Sequence, residues 1–122
     1  MTASLTLFGI PNCDTVKKSR SWLTAHGIDY HFHDFKKEGV PPAHLERWIQ
    51  AVGWEKVLNR QGTTWRRLDP AAQAAVVDGQ SAAALMLEQP SVIKRPVVEW
   101  SNTPGDVTVG FNADLWQDRL KP

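Results

Sequence analysis

The chain of 122 residues has only one cysteine, Cys13, and almost no excess charge of either sign. A single cysteine excludes an internal disulfide. The formal net charge of +1 argues against direct binding of nucleic acid or of an anionic membrane surface. No apolar run approaches the roughly 18 residues of a membrane-spanning helix, and residues 1–4 lack the features of a secretory signal. We therefore expect one cytoplasmic domain over residues 1–122, and a monomer.

The first third of the sequence predicts a strand–helix–strand unit. A strand is expected over residues 4–8, a helix over 14–25 that ends near Gly27, and a second strand over 29–35. Two strands joined by a helix within about 30 residues are normally parallel, with a right-handed crossover. The sequence therefore predicts parallel pairing of the first two strands.

The remaining two thirds predict a helical segment followed by a β-hairpin and a last helix. Helices are expected to start at Pro41-Pro42, at Trp54, at Asp69-Pro70 with Asp69 as N-cap, and at Ser81. Residues 93–100 and 107–111 are expected to pair as a hairpin around the turn at 102–106, and Asn112 is expected to cap a helix over 113–120. This order predicts an α/β protein with a mixed β-sheet and a helical insertion.

Cys13 follows a polar turn, Pro11-Asn12, and comes directly before the first predicted helix. A lone cysteine is most often a small buried apolar residue without special reactivity. At a helix N-terminus, however, the free N–H groups and the helix dipole favour the thiolate, which is the nucleophilic form. The polar turn therefore favours a reactive Cys13.

Three segments in order along the chain resemble one known family. GIPNCDT at residues 9–15, NRQGTTW at 59–65 and IKRP at 93–96 are similar to motifs of the arsenate reductase (ArsC)/Spx family, and most similar to its YffB-like subgroup. The resemblance implies a thioredoxin-like fold with a helical insertion. It implies one of three activities: arsenate reduction, thiol reduction or redox-responsive regulation of transcription. The YffB-like subgroup implies a glutathione-dependent thiol reductase.

The same resemblance implies the residues of a site. Cys13 matches the nucleophile, with Asn12 and Thr15 beside it. Arg95 is expected next to the sulfur, and Pro96 is expected to follow a cis peptide bond and to shape the substrate groove. Arg60 is expected to contact the anion, with the register open by one residue, because Asn59 falls on the matching family position and Arg60 beside it.

The resolving cysteine of related oxidoreductases lies three residues after the nucleophile, and this chain has Val16 there. A mixed disulfide at Cys13 must then be resolved by an external thiol, for which glutathione is the expected co-substrate. The sequence thus predicts a glutathione-dependent oxidoreductase with a monothiol mechanism.

Two alternatives remain at this point. An arsenate reductase coupled to glutaredoxin would need a third arginine on the last hairpin, yet residues 101–118 contain neither arginine nor lysine. A Spx-like regulator that binds RNA polymerase would need a two-cysteine switch, which Val16 removes. The four histidines, which have no metal-ligand spacing, are His26, His31, His33 and His44, and we expect no metal.

Overall fold

The computed structural model describes residues 5–100 and 105–120, which contain four β-strands and eight α-helices. The strands are β1 (Thr6–Gly9), β2 (His31–Asp34), β3 (Val97–Glu99) and β4 (Val107–Val109). The helices are α1 (Asp14–Ala25), α2 (Phe35–Glu38), α3 (Pro42–Val52), α4 (Trp54–Val57), α5 (Thr63–Arg66), α6 (Pro70–Ala74), α7 (Gly79–Glu88) and α8 (Ala113–Arg119). No helix in these ranges is both long and apolar enough to cross a membrane.

The strands form one mixed sheet in the order β2-β1-β3-β4. β1 pairs with β2 in parallel, and α1 makes the crossover between them. β3 pairs with β1 and with β4 in antiparallel orientation. The predicted mixed sheet and the predicted parallel first pair are both confirmed. The helices α2 to α7, which lie between β2 and β3 along the chain, form the predicted insertion.

Each face of the sheet carries its own hydrophobic core, because successive strand residues point to opposite sides. Phe8 packs with Trp48 of α3 and Met86 of α7 on the face covered by the insertion. Leu7, the preceding residue, packs on the other face with α1 and with Trp116 of α8. Burial of each such side chain contributes about 1.5–3 kcal/mol. The second of these cores includes residues of α1 and so fixes this helix, and hence Cys13, relative to the sheet.

Several element boundaries differ from the predictions. The expected second strand ends at Asp34, whose side chain accepts a hydrogen bond from the Lys36 N–H at 2.8 Å and so starts the short helix α2. Helix α7 begins at Gly79 instead of Ser81, because Asp78 and Ser81 form a capping box.

Two further predictions concern the caps and turns of the later elements. Asp69 occupies the N-cap position of α6, as expected, but makes no side-chain cap hydrogen bond. Asn112 caps α8 as expected, accepting from the Leu115 N–H at 3.0 Å. The predicted turn at 102–106 lies partly outside the described residues, and the predicted start of the first strand at Ser4 lies outside them.

Candidate active site

Cys13 is the N-cap residue of α1, immediately after the turn that follows β1. Its backbone is extended, with φ −103° and ψ 127°, and its carbonyl accepts from the Lys17 N–H at 2.9 Å. The thiol is partly exposed, whereas Val16 in the same helical turn is fully buried. The Cys13 sulfur therefore lies at the N-terminus of α1, near the free N–H groups of the first helical turn, and is partly open to solvent.

Several groups act on the pKa of the Cys13 thiol. Burial is the largest single influence and raises the pKa. The backbone N–H of Val16, the side chain of Arg95 and the backbone N–H of Thr15 all lower it, and their combined effect outweighs burial. The net pKa is lowered from its ordinary value. The surroundings of Cys13 therefore favour the thiolate, the form that attacks disulfides, more than those of an ordinary cysteine do.

Arg95 reaches the sulfur from the segment that leads into β3. The Arg95–Pro96 peptide bond is cis, as the family resemblance implied. Nη1 of Arg95 donates to the Ser91 carbonyl at 3.1 Å. Pro96 is buried, and its carbonyl accepts from the Gly110 N–H at 2.8 Å. Pro96 therefore links the arginine segment to the end of the last hairpin and does not itself line the cleft.

A cleft of about 550 Å³ opens beside Cys13. One side carries polar and cationic side chains, and the other is formed by β4 and the segment that leads into α8. The residues that line the cleft are Cys13, Thr15, Asn59, Gln61, Lys94, Arg95, Thr108, Val109, Gly110, Phe111, Asn112 and Leu115. This cleft is of the size that small-molecule ligands occupy.

Not every predicted site residue lines this cleft. Cys13, Thr15 and Arg95 do, whereas Asn12 is exposed outside it. Arg60 lines a neighbouring cleft of about 340 Å³, where its Nη2 lies 3.9 Å from a carboxylate oxygen of Glu55. Its guanidinium also lies 5.7 Å from the ring centroid of Trp54.

Asn59 lines both clefts, so of the two residues that fit the family position, the structure brings Asn59 to Cys13. Its backbone N–H donates to the Val92 carbonyl at 2.7 Å, which holds it beside the arginine segment. Its side-chain oxygen accepts from the Gln61 N–H at 3.0 Å. These bonds turn the loop after α4 towards the cysteine.

Lys94 and Gln61 are lining residues to which the sequence assigned no role. Both line the two clefts, and Lys94 directly precedes Arg95. The sequence feature that could have pointed to Lys94 is its position next to Arg95, the arginine that matches the family motif. Sequence reasoning also missed Phe111 and Leu115 as lining residues, because they come beside the cysteine only when α8 packs on the sheet.

Three of the histidines, His26, His33 and His44, make structural hydrogen bonds in this fold. His44 Nδ1 lies 2.7 Å from a carboxylate oxygen of Glu99, which also accepts from the Trp48 indole N–H at 2.8 Å. Within residues 5–100 and 105–120, no group of three or more histidine, cysteine, aspartate or glutamate side chains has an arrangement that could hold a metal ion.

The fold and the site together define a class: thioredoxin-like proteins that present one activated cysteine beside an arginine that follows the helical insertion. A family model described as the ArsC family matches residues 8–118. The chain therefore belongs to the ArsC family.

Three known proteins that are similar to this chain have different names. The solved structure of a YFFB protein is 47% identical, with a TM-score of 0.88, and the match covers 96% of this chain and 99% of that one. An arsenate reductase (ArsC) related protein from Brucella melitensis is 48% identical, with a TM-score of 0.74 and coverage of 100% and 98%. A global transcriptional regulator Spx of Streptococcus pyogenes is 24% identical over 112 residues, which are 90% of this chain and 80% of that protein.

Proposed function

We propose that this protein is a cytoplasmic glutathione-dependent thiol oxidoreductase that acts through Cys13 alone. The observation that carries the proposal is the position of Cys13 at the N-terminus of α1 beside Arg95, a position that lowers the pKa of its thiol, in a chain without a second cysteine. Membership of the ArsC family and similarity to arsenate reductase-related proteins support a thiol-based oxidoreductase. Glutathione and the monothiol mechanism are inferred from the site.

The proposed reaction has two thiol–disulfide exchanges. The Cys13 thiolate attacks the glutathione sulfur of a mixed disulfide, the Cys13–glutathione S–S bond forms, and the substrate leaves as its thiolate. A second glutathione thiolate then attacks the glutathione sulfur bound to Cys13, which releases oxidised glutathione and regenerates the Cys13 thiolate. Each step breaks one S–S bond and forms one, so the net reaction converts the glutathione mixed disulfide and one reduced glutathione into the free substrate thiol and oxidised glutathione.

The cleft contains groups suited to this substrate. Arg95 and Lys94 supply positive charge for glutathione carboxylates, and Asn59 and Gln61 supply amide groups. Phe111 and Leu115, the latter 45% exposed, give an apolar wall beside the sulfur. The proposal requires no metal, and the protein acts as a monomer with glutathione or, in a coupled reaction, with glutaredoxin.

Titration with oxidised glutathione tests the proposal. We expect one glutathionyl adduct per chain, detected by mass spectrometry, and its removal by added reduced glutathione. Cys13→Ser should form no adduct, and Thr15→Ala is the matched variant that keeps the thiol. Resistance of Cys13 to a disulfide that modifies an ordinary exposed thiol would show that the residue is structural.

Arsenate reduction is the second candidate, favoured by the 48% identity to an arsenate reductase-related protein. Against it, the hairpin contributes no cation to the cleft: its lining residues are Thr108, Val109 and Gly110. Arsenate is a compact dianion and each charged contact contributes about 1.5–3 kcal/mol, so a missing arginine weakens its binding. A coupled assay with glutaredoxin should show slower reduction of arsenate than of a glutathione mixed disulfide. The opposite order favours the second candidate.

A Spx-like regulatory role is tested by capture of RNA polymerase on the immobilised protein. Val16 is fully buried against Gly9 in the position of a resolving cysteine, so this chain has no intramolecular redox switch there. We therefore expect no redox-dependent capture of the polymerase.

A further inference from the structure

Lys94 stands where the two clefts meet, on a segment of fixed backbone. Its N–H donates to the Val57 carbonyl at 2.7 Å, and the Asn59 N–H donates to the Val92 carbonyl at 2.7 Å. An isolated β-bridge between Leu58 and Ile93 lies between these two bonds. The residue immediately before Arg95 is therefore held in place, although its side chain is exposed.

The side chain of Lys94 runs along the end of the hairpin. A Cβ atom added at Gly110 would lie 3.3 Å from Cε of Lys94, which places the lysine stem against that glycine. Gly110 has a φ of +83°, a conformation that other residues rarely adopt, so the turn itself calls for glycine. The hairpin thereby leaves room for the Lys94 stem next to the Cys13 cleft.

Among the residues that line the clefts, Lys94 is the cation common to both. The cleft at Cys13 also has Arg95, and the neighbouring cleft also has Lys56 and Arg60, with Glu55 as the opposing carboxylate. A ligand that extends from the Cys13 sulfur into the second cleft passes the residues common to both clefts, and Lys94 is one of them. The charge around that path favours an extended anion over a neutral or cationic molecule.

We propose that Lys94 selects the charge of the disulfide that Cys13 attacks, by binding a carboxylate of an extended anionic thiol compound such as glutathione. This inference rests on the proposed function, because it assumes that Cys13 exchanges with disulfides. Arg95 acts on the sulfur as well as adding positive charge to the cleft, whereas Lys94 acts on the substrate anion alone. The two cations thus have separable effects on reactivity and on substrate choice.

Exchange with three disulfides of different charge tests the proposal. The probes are oxidised glutathione (anionic), bis(2-hydroxyethyl) disulfide (neutral) and cystamine (cationic), each mixed with the reduced protein while adduct formation is followed by mass spectrometry. The variants are Lys94→Gln, the charge-conserving Lys94→Arg, and Lys37→Gln. Lys37 is an exposed lysine of α2 that lines neither cleft, so it controls for net charge.

We expect Lys94→Gln to slow exchange with oxidised glutathione about fivefold, the size of one partly solvated charge contact. Exchange with the neutral disulfide should stay within about twofold, exchange with cystamine should accelerate, and Lys94→Arg should restore the original order. Added salt should shrink these differences. The pH dependence of iodoacetamide labelling should be unaltered in Lys94→Gln, because the lysine does not act through the thiol.

Equal slowing with all three disulfides, or no slowing at all, would overturn the role of Lys94 and leave the proposed function standing. A wild-type protein that exchanges with none of the three faster than an ordinary exposed thiol would remove the proposed function, and the role of Lys94 with it. The two failures are therefore distinguished by the wild-type rates alone.

Discussion

Gly9, the last residue of β1, is the position where one added methyl group is expected to disturb both stability and the site. A Cβ atom there would lie 2.8 Å from Cγ2 of Val16, about 0.7 Å closer than carbon atoms normally pack. Val16 is fully buried, and a helix allows valine essentially one χ1 rotamer, so the methyl group cannot swing away. Either β1 or the first turn of α1 must move.

The cost of Gly9→Ala follows from this overlap. Overpacking of a buried site costs about 1–3 kcal/mol. The loss of unfolded-chain entropy offsets about 0.4–1 kcal/mol of that, because φ of Gly9 lies outside the region reserved for glycine. We expect a net loss of about 1–2 kcal/mol in the free energy of unfolding, which for a domain of this length lowers Tm by about 4–8 °C. Urea titration followed by tryptophan fluorescence measures it.

Gly62→Ala is the matched control. There the added Cβ would lie 3.0 Å from Nδ2 of Asn59, the outer nitrogen of an amide that need shift by only a few tenths of an ångström while its oxygen stays bonded to the Gln61 N–H, and we expect a change within about 0.5 kcal/mol. In a Val16→Ala background, the Gly9→Ala substitution should cost close to nothing, since the obstructing methyl group is gone. An equal cost of Gly9→Ala in both backgrounds would refute the close approach as its cause.

The same substitution should reach Cys13. In the native protein the Val16 N–H lowers the pKa of the Cys13 thiol, and a shift of the first turn of α1 would displace this N–H. We therefore expect Gly9→Ala to raise the pH midpoint of Cys13 alkylation by iodoacetamide, and Gly62→Ala to leave it unaltered.

Three further predictions concern the thiol, the glutathione adduct and a helix cap. Arg95→Gln should raise the midpoint of the pH profile of Cys13 alkylation, because the arginine lowers that pKa; an unaltered midpoint would remove Arg95 from the thiolate's environment. Without reductant, the Cys13–glutathione adduct should persist, since the chain has no second cysteine to displace glutathione; its spontaneous loss would contradict the monothiol mechanism. Asp78→Ala should lower Tm at neutral pH, because it removes the cap of α7. The folded-state pKa of Asp78 is lowered, so the stabilisation by its carboxylate is present above the ordinary pKa of 3.8 and is lost as the pH falls through the lowered pKa. The Tm difference between Asp78→Ala and the wild type should therefore shrink in acid. A difference that stays constant with pH would count against the carboxylate as the cap.

The sequence by itself determined the elements that depend on local patterns. The strand–turn–helix around Cys13, the parallel pairing of the first two strands and the cap at Asn112 all follow from short-range spacing and from turn chemistry. The family motifs added the thioredoxin-like fold and the cis bond before Pro96, which no local pattern specifies. Local signals were weakest for one-turn helices such as α2 and α5, which have too few residues to show a helical period.

Only the tertiary structure decided which polar residues meet at the cysteine. Asn59 and Arg60 are neighbours in sequence, yet Asn59 lines the Cys13 cleft, while Arg60 lies over Trp54 beside Glu55. Adjacent residues in a turn point in different directions. The backbone hydrogen bond from Asn59 to Val92, 33 positions further along the chain, determines which of the two residues faces the Cys13 cleft. Lys94 and Phe111 likewise line the Cys13 cleft because β1, β3 and β4 are neighbours in the sheet. Long-range backbone pairing therefore brings together the polar and charged residues of the site, which come from separate segments of the sequence.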